Sequence, residues 1–117
     1  MNNGRKPKIV YLGSPDFAVP ALAALMQAGY SLPLVITQPD RPKGRKRQLT
    51  PTAVKQFAEN AGLRVLAVPN VNQPEVLAEI RAAEPDLLVV AAFGQLLRPA
   101  VWQAAPFGAV NIHASLL

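Results

Sequence analysis

Asn111 and His113 are the residues of this sequence best suited to chemistry. They stand two apart in residues 109–113, an apolar segment that reads as a strand. Side chains two apart on a strand point to the same face, and at a strand end that face can open to a ligand. Histidine moves protons near neutral pH. An asparagine amide can donate N–H to a developing oxyanion. Together they suit acyl transfer, in which one group manages protons while another holds a tetrahedral oxygen. A lone His at a strand end, bonded only to backbone, fits the same spacing.

A second chemical feature is cationic. Arg41, Lys43, Arg45, Lys46 and Arg47 fall within seven residues, preceded by Asp40 and interrupted by Pro42 and Gly44. This is the composition of a phosphate-contacting loop; a solvated charged loop would look alike. It contains no aromatic residue, so any base stacking there would use Arg planes.

Two further places sit at strand ends. Gly13, Ser14, Pro15 and Asp16 stand where a dinucleotide fingerprint would follow a first strand, but only one of its glycines is present. This argues against a nucleotide cofactor with its pyrophosphate at the usual turn. Asp16 can cap the next helix or touch substrate. Residues 91–94, Ala-Ala-Phe-Gly, can form a flat apolar slot for a heterocycle, with Phe93 as plain core the alternative.

The elements that must position these residues alternate. Residues 8–12, 34–37, 65–68, 86–92 and 109–113 are short apolar runs that read as strands. Residues 17–28 carry a helical stripe of Val19, Leu22, Ala23, Leu25 and Met26, with Pro20 in the first turn. Thr52 caps a helix to residue 61, Asn72 caps one to residue 83, and a short helix lies within 99–104. Trp102 is expected to pack that short helix against the sheet. Residues 38–51 read as a loop. Leu87, Leu88, Val89 and Val90 form an unbroken row, as in a strand covered on both faces. The expected fold is therefore α/β, a doubly wound, mostly parallel sheet with flanking helices, with ligands beyond the carboxyl ends of the strands.

Composition bounds the partners. The chain has 117 residues, half of them hydrophobic and 16% charged, which suits one packed domain rather than a disordered chain. Its net charge is +5, from twelve Lys and Arg against seven Asp and Glu. Setting the five loop cations aside leaves seven against seven. The charge thus marks one site for an anion, not a generally basic surface. There is no Cys and one His, which excludes disulfides and thiol nucleophiles and argues against a metal site. No run approaches a membrane span, and the first residues do not form a secretion signal, so a cytoplasmic location is expected.

Three segments in order carry a resemblance: Gly13-Ser-Pro-Asp-Phe-Ala18, Thr37-Gln-Pro-Asp-Arg-Pro-Lys-Gly-Arg45 and Asn111-Ile-His-Ala-Ser-Leu-Leu117. From about residue 8 onward the chain resembles the 10-formyltetrahydrofolate-dependent formyltransferases. Among them it is most similar to the branch that formylates methionyl-initiator tRNA in translation initiation. The N-x-H-x-S-L-L motif is shared across the wider family, including the glycinamide ribonucleotide and sugar-nucleotide enzymes, whereas the basic loop is more specific to the tRNA branch.

The resemblance implies a Rossmann-like fold, 10-formyltetrahydrofolate as formyl donor, no metal, and initiator methionyl-tRNA as partner. It implies that Asn111 and His113 are catalytic and that Ser115 shapes their motif. It puts Ala92, Phe93, Gly94, Gln95, Leu96 and Leu97 on the folate pocket, and Arg41, Lys43, Arg45, Lys46 and Arg47 on tRNA, with Arg45 foremost. Ser14 and Asp16 remain possible substrate contacts. A monomer is expected of the full-length enzyme. The family's third catalytic residue, an Asp, lies downstream of S-L-L. Residues 1–117 are therefore expected to be part of the catalytic domain, without its remainder or the C-terminal OB-like domain, and to be inactive alone. A sugar-nucleotide formyltransferase and a non-catalytic tRNA-binding module are the alternatives.

Overall fold

The computed structural model describes residues 6–113. Five strands form one parallel sheet: β1 (Lys8–Gly13), β2 (Ser31–Thr37), β5 (Val65–Ala67), β6 (Leu87–Ala91) and β7 (Ala109–Ile112), in the spatial order β5-β2-β1-β6-β7. The remaining two, β3 (Arg41–Lys43) and β4 (Gln48–Thr50), pair with each other as an antiparallel ribbon. Strand order reverses between β1 and β6, the switch point at which open α/β sheets bind ligands.

Both faces of the central strands β2, β1 and β6 are covered, as their unbroken apolar runs demand, while β7 at the edge is exposed. On one face, Ile9, Tyr11, Val35 and Val89 pack with Leu22 of α1 (Val19–Gln27) and with Val54 and Ala58 of α2 (Ala53–Asn60). On the other, Val10, Leu12, Leu34, Ile36, Leu88 and Val90 pack with Val76 and Ile80 of α3 (Pro74–Ala82) and Val101 of α4 (Pro99–Trp102). Successive residues of β1 thus feed alternate cores, which is the period of two made visible. The doubly wound layout expected from the sequence is the observed one.

Local signals explain most boundaries. The Thr52 side chain accepts a hydrogen bond from Lys55 N at 3.0 Å and caps α2 as expected. Pro20 and Pro74 lie in first turns, where a missing N–H is harmless.

Four local readings are corrected. The cationic segment is not a loop but the β3–β4 ribbon. Its sequence does not alternate because a two-stranded ribbon has no buried face, and Pro42 is tolerated because each strand is an edge. Asn72 does not cap α3; Gln73 holds that position without a side-chain bond. Asp16 is not a cap either. Pro15 precedes the 3-10 turn Asp16–Ala18, and no side chain caps it. Trp102 is 40% exposed, and Val101 beside it does the packing.

Candidate active site

Register aligns the strand ends. Leu12 pairs with both Ile36 and Val90, Gly13 with Ala91, and Ala91 with Ile112. The next residues, Ser14, Ala92 and His113, therefore leave the sheet in one rank. Gly13 is required by this closeness: a Cβ there would lie 2.9 Å from the Ala91 carbonyl oxygen.

Two cavities open above this rank. The first, about 690 Å³, is lined by Ser14, Asp16, Gln38, Arg41, Lys43 and Thr52, among others. The second, about 390 Å³, is lined by Phe17, Gln95, Leu96, Asn111, Ile112 and His113, with Val90 at its base. Ala92, Phe93 and Gly94 border both.

The structure thus brings Asn111 and His113 together with residues 92–96 in one cavity, on an exposed strand end. It brings Ser14 and Asp16 together with Arg41 and Lys43 in the other. Arg41 and Lys43 share one face of β3 by their spacing. Arg45, Lys46 and Arg47 are exposed in the turn at the ribbon's far end, closed by Arg47 N donating to Gly44 O at 3.2 Å. They do not line either cavity. Leu97 packs against the core below the loop rather than lining a cavity. Ser115 lies outside the described residues.

The ring of Phe93 is buried in the core on the α3 side, so a ligand slot here is bordered by its backbone rather than by the ring. The exposed apolar walls of the second cavity come instead from Phe17, Leu96 and Ile112, at 48%, 84% and 37% exposure. Sequence reasoning does not single out Phe17 or Gln38. Phe17 carries a usable signal, since an aromatic directly after a strand-end turn stands at the ligand side of such a sheet.

Polar contacts fix the loops around the switch point. Ser14 Oγ donates to the Phe93 carbonyl at 3.3 Å and accepts from Gln38 N at 3.1 Å and Thr37 Oγ1 at 3.3 Å. Thr37 and Thr52 share a 2.6 Å hydroxyl bond. The ribbon's base is tied to α2 by Lys55 Nζ and Asp40 Oδ1 at 2.9 Å. That bond with the Asp40 carboxylate holds the Lys55 ammonium above its ordinary pKa. Among the described residues, none of the five ribbon cations forms an ion pair, so their charge is free for an anion. Among the same residues there is no group of three or more His, Asp or Glu able to hold a metal. No helix there is long and apolar enough to cross a membrane.

A cationic ribbon thus stands beside a switch-point crevice that holds an Asn–His pair on a Rossmann-like sheet. Residues 7–117 match the formyl transferase family, and the chain belongs to it. The chain is 49% identical over 110 residues to a methionyl-tRNA formyltransferase of Geobacillus sp. (strain WCH70), covering 94% of this chain and 35% of that one. It is 53% identical over 110 residues to the methionyl-tRNA formyltransferase of Chloroflexus aggregans, covering 94% of this chain and 36% of that one. The chain thus spans about a third of the length of these relatives. In fold it is similar to a phosphoribosylglycinamide formyltransferase from Bacillus halodurans, with a TM-score of 0.67 at 22% identity, covering 94% of this chain and 57% of that one. A glycinamide ribonucleotide transformylase from Symbiobacterium toebii gives a TM-score of 0.69 at 22% identity, covering 97% and 54%.

Proposed function

We propose that this chain is the front part of the catalytic domain of an enzyme that formylates methionyl-initiator tRNA, with 10-formyltetrahydrofolate as the donor. The observation that carries the reading is the second cavity. It collects Asn111, His113 and the 92–96 loop at the switch point, beside a cationic ribbon. Its chemistry fits a reduced folate: apolar walls from Phe17, Leu96 and Ile112 suit a flat ring, and Asn111 and His113 supply polar edges. The bound donor supplies an activated formyl carbon.

The chain's own residues then have distinct roles. His113 takes the proton from the acceptor amine as it attacks the formyl carbon, and delivers it to N10 of the departing tetrahydrofolate as the formyl C–N10 bond breaks. The Asn111 amide donates a hydrogen bond to the oxygen that becomes negative in the tetrahedral state. Arg41 and Lys43 draw phosphates toward the first cavity, and Arg45, Lys46 and Arg47 extend that attraction along the ribbon. Ser14 and Asp16 border the acceptor side. The cytoplasm, where charged initiator tRNA is found, is the fitting location, and a monomer is the expected state of the longer enzyme.

In a chain of the relatives' full length, His113→Ala and Asn111→Ala should each lower kcat by about a hundredfold or more. Competition between methionyl-initiator tRNA and a UDP-amino sugar, read as formyl incorporation, should favour the tRNA. Preference for the sugar nucleotide would assign the other branch of the family. Undiminished transfer in His113→Ala would remove the proposed proton carrier.

A further inference from the structure

The loop that borders both cavities is held in a conformation it would not choose. Ala92 has φ 50° and Gly94 has φ 88°. A non-glycine residue in the left-handed region is costly, and such strain persists only where its surroundings over-determine it. Here the surroundings are two glutamine amides and the Ser14 hydroxyl, which donates to the Phe93 carbonyl at 3.3 Å. Gln38 Nε2 donates to the Phe93 carbonyl at 3.1 Å, between the two residues with positive φ. Gln95 Nε2 donates to Gln38 Oε1 at 3.0 Å and to the Val68 carbonyl at 2.8 Å, while Gln95 Oε1 accepts from Val71 N at 2.7 Å. Both amides are therefore well engaged with protein. Gly94 leaves room for this arrangement, since a Cβ there would stand 2.7 Å from Gln38 Nε2.

The pair spans three connections: the one after β2, which leads into the cationic ribbon, the one after β5, and the one after β6. Gln38 lies three residues before Arg41, and its own N–H is held by Ser14 Oγ. Asn72 adds a further clip, donating Nδ2 to the Leu96 carbonyl at 2.8 Å and accepting from Arg98 N at 2.9 Å.

We infer that Gln38 and Gln95 are positioning residues: their paired amides hold the strained 92–95 backbone and so set the shape of the cavity that contains Asn111 and His113. Gln95 then acts from beneath the pocket, through Val68, Val71 and Gln38, in place of the direct ligand contact expected from the sequence. This rests on the folate reading above for its functional consequence, but not for its structural one.

The test uses Gln38→Glu, which removes the amide donor to Phe93, leaves that of Ser14 and keeps the acceptor for Gln95, and Gln95→Glu, which removes both Gln95 donors. Gln38→Met serves if a carboxylate at position 38 prevents folding. Two quantities are read on the 117-residue chain. One is the backbone order parameter of residues 93–97. The other is the affinity for 5-formyltetrahydrofolate, a stable reduced folate, beside that for an acceptor-stem RNA. Order parameters should fall from about 0.85 toward 0.6 or lower in the loop while β1 and β6 are unchanged. Folate Kd should rise about tenfold in each variant, and RNA Kd should stay within about twofold in Gln95→Glu and Gln38→Met, which add no charge to the first cavity. A loop that remains rigid, or a folate Kd that does not move, overturns the inference. Parallel loss of folate affinity, RNA affinity and urea midpoint also overturns it, because that is the signature of a general structural role. If the unaltered chain binds no reduced folate, the functional reading fails, and the order parameters alone decide the positioning claim.

Discussion

At the scale of single residues, function and stability draw on different kinds of environment. Asn111 and His113 are exposed at a strand end, where a ligand can reach them. Tyr11 is the opposite case. Its side chain is fully buried beneath α1, its hydroxyl donates to the Ala18 carbonyl, and burial pushes its pKa up to about 12. The folded chain holds that proton more tightly than the unfolded chain, whose tyrosine ionises near 10. The contribution is therefore complete below pH 10 and is lost as pH rises toward 12, by up to about 1.4 kcal/mol per pH unit. Urea titrations should show the stability gap between the parent and Tyr11→Phe narrowing across that window; parallel curves would contradict it. The Asn–His pair is legible in the sequence because spacing on a strand determines facing. The tasks of Gln38 and Asn72 are not, because both depend on partners 24 to 57 positions away.

Among the elements, the cationic ribbon separates most clearly into parts. Its strands carry Arg41 and Lys43 over the first cavity, and its turn carries Arg45, Lys46 and Arg47 outward. Arg41→Ala with Lys43→Ala should weaken acceptor-stem binding and reduce its log–log salt slope by about one for each phosphate left without its cation. Arg45→Ala with Lys46→Ala tests the turn in the same way. A slope unchanged in both pairs would rule out phosphate binding by the ribbon. The parallel strands and their helices are readable from apolar runs, a capping threonine and early prolines, since each is set by a local rule. The ribbon reads as a loop because it lies outside the core, and no burial imposes an alternating pattern on it.

For the molecule as a whole, the fold converts register into a site. The parallel sheet places the ends of β1, β6 and β7 side by side, and the reversal of strand order opens the crevice above them. Two apolar cores, one on each face, hold that rank in place, while the ribbon's charge stands at its side. Apolar runs and strand-end motifs lead to this architecture and to the residues around the crevice. They do not reveal that the crevice is divided into two cavities by residues 92–94, since that depends on the backbone angles of Ala92 and Gly94. The claim on which the account turns is that a reduced folate occupies the Asn111–His113 side of this divide. The most direct measurement is a titration of the isotope-labelled chain with 5-formyltetrahydrofolate, followed by backbone amide shifts. Saturable shifts at residues 92–97 and 111–113, with the ribbon turn at 44–47 unmoved, are predicted. No saturable shift, or shifts confined to the ribbon and the first cavity, would contradict the account.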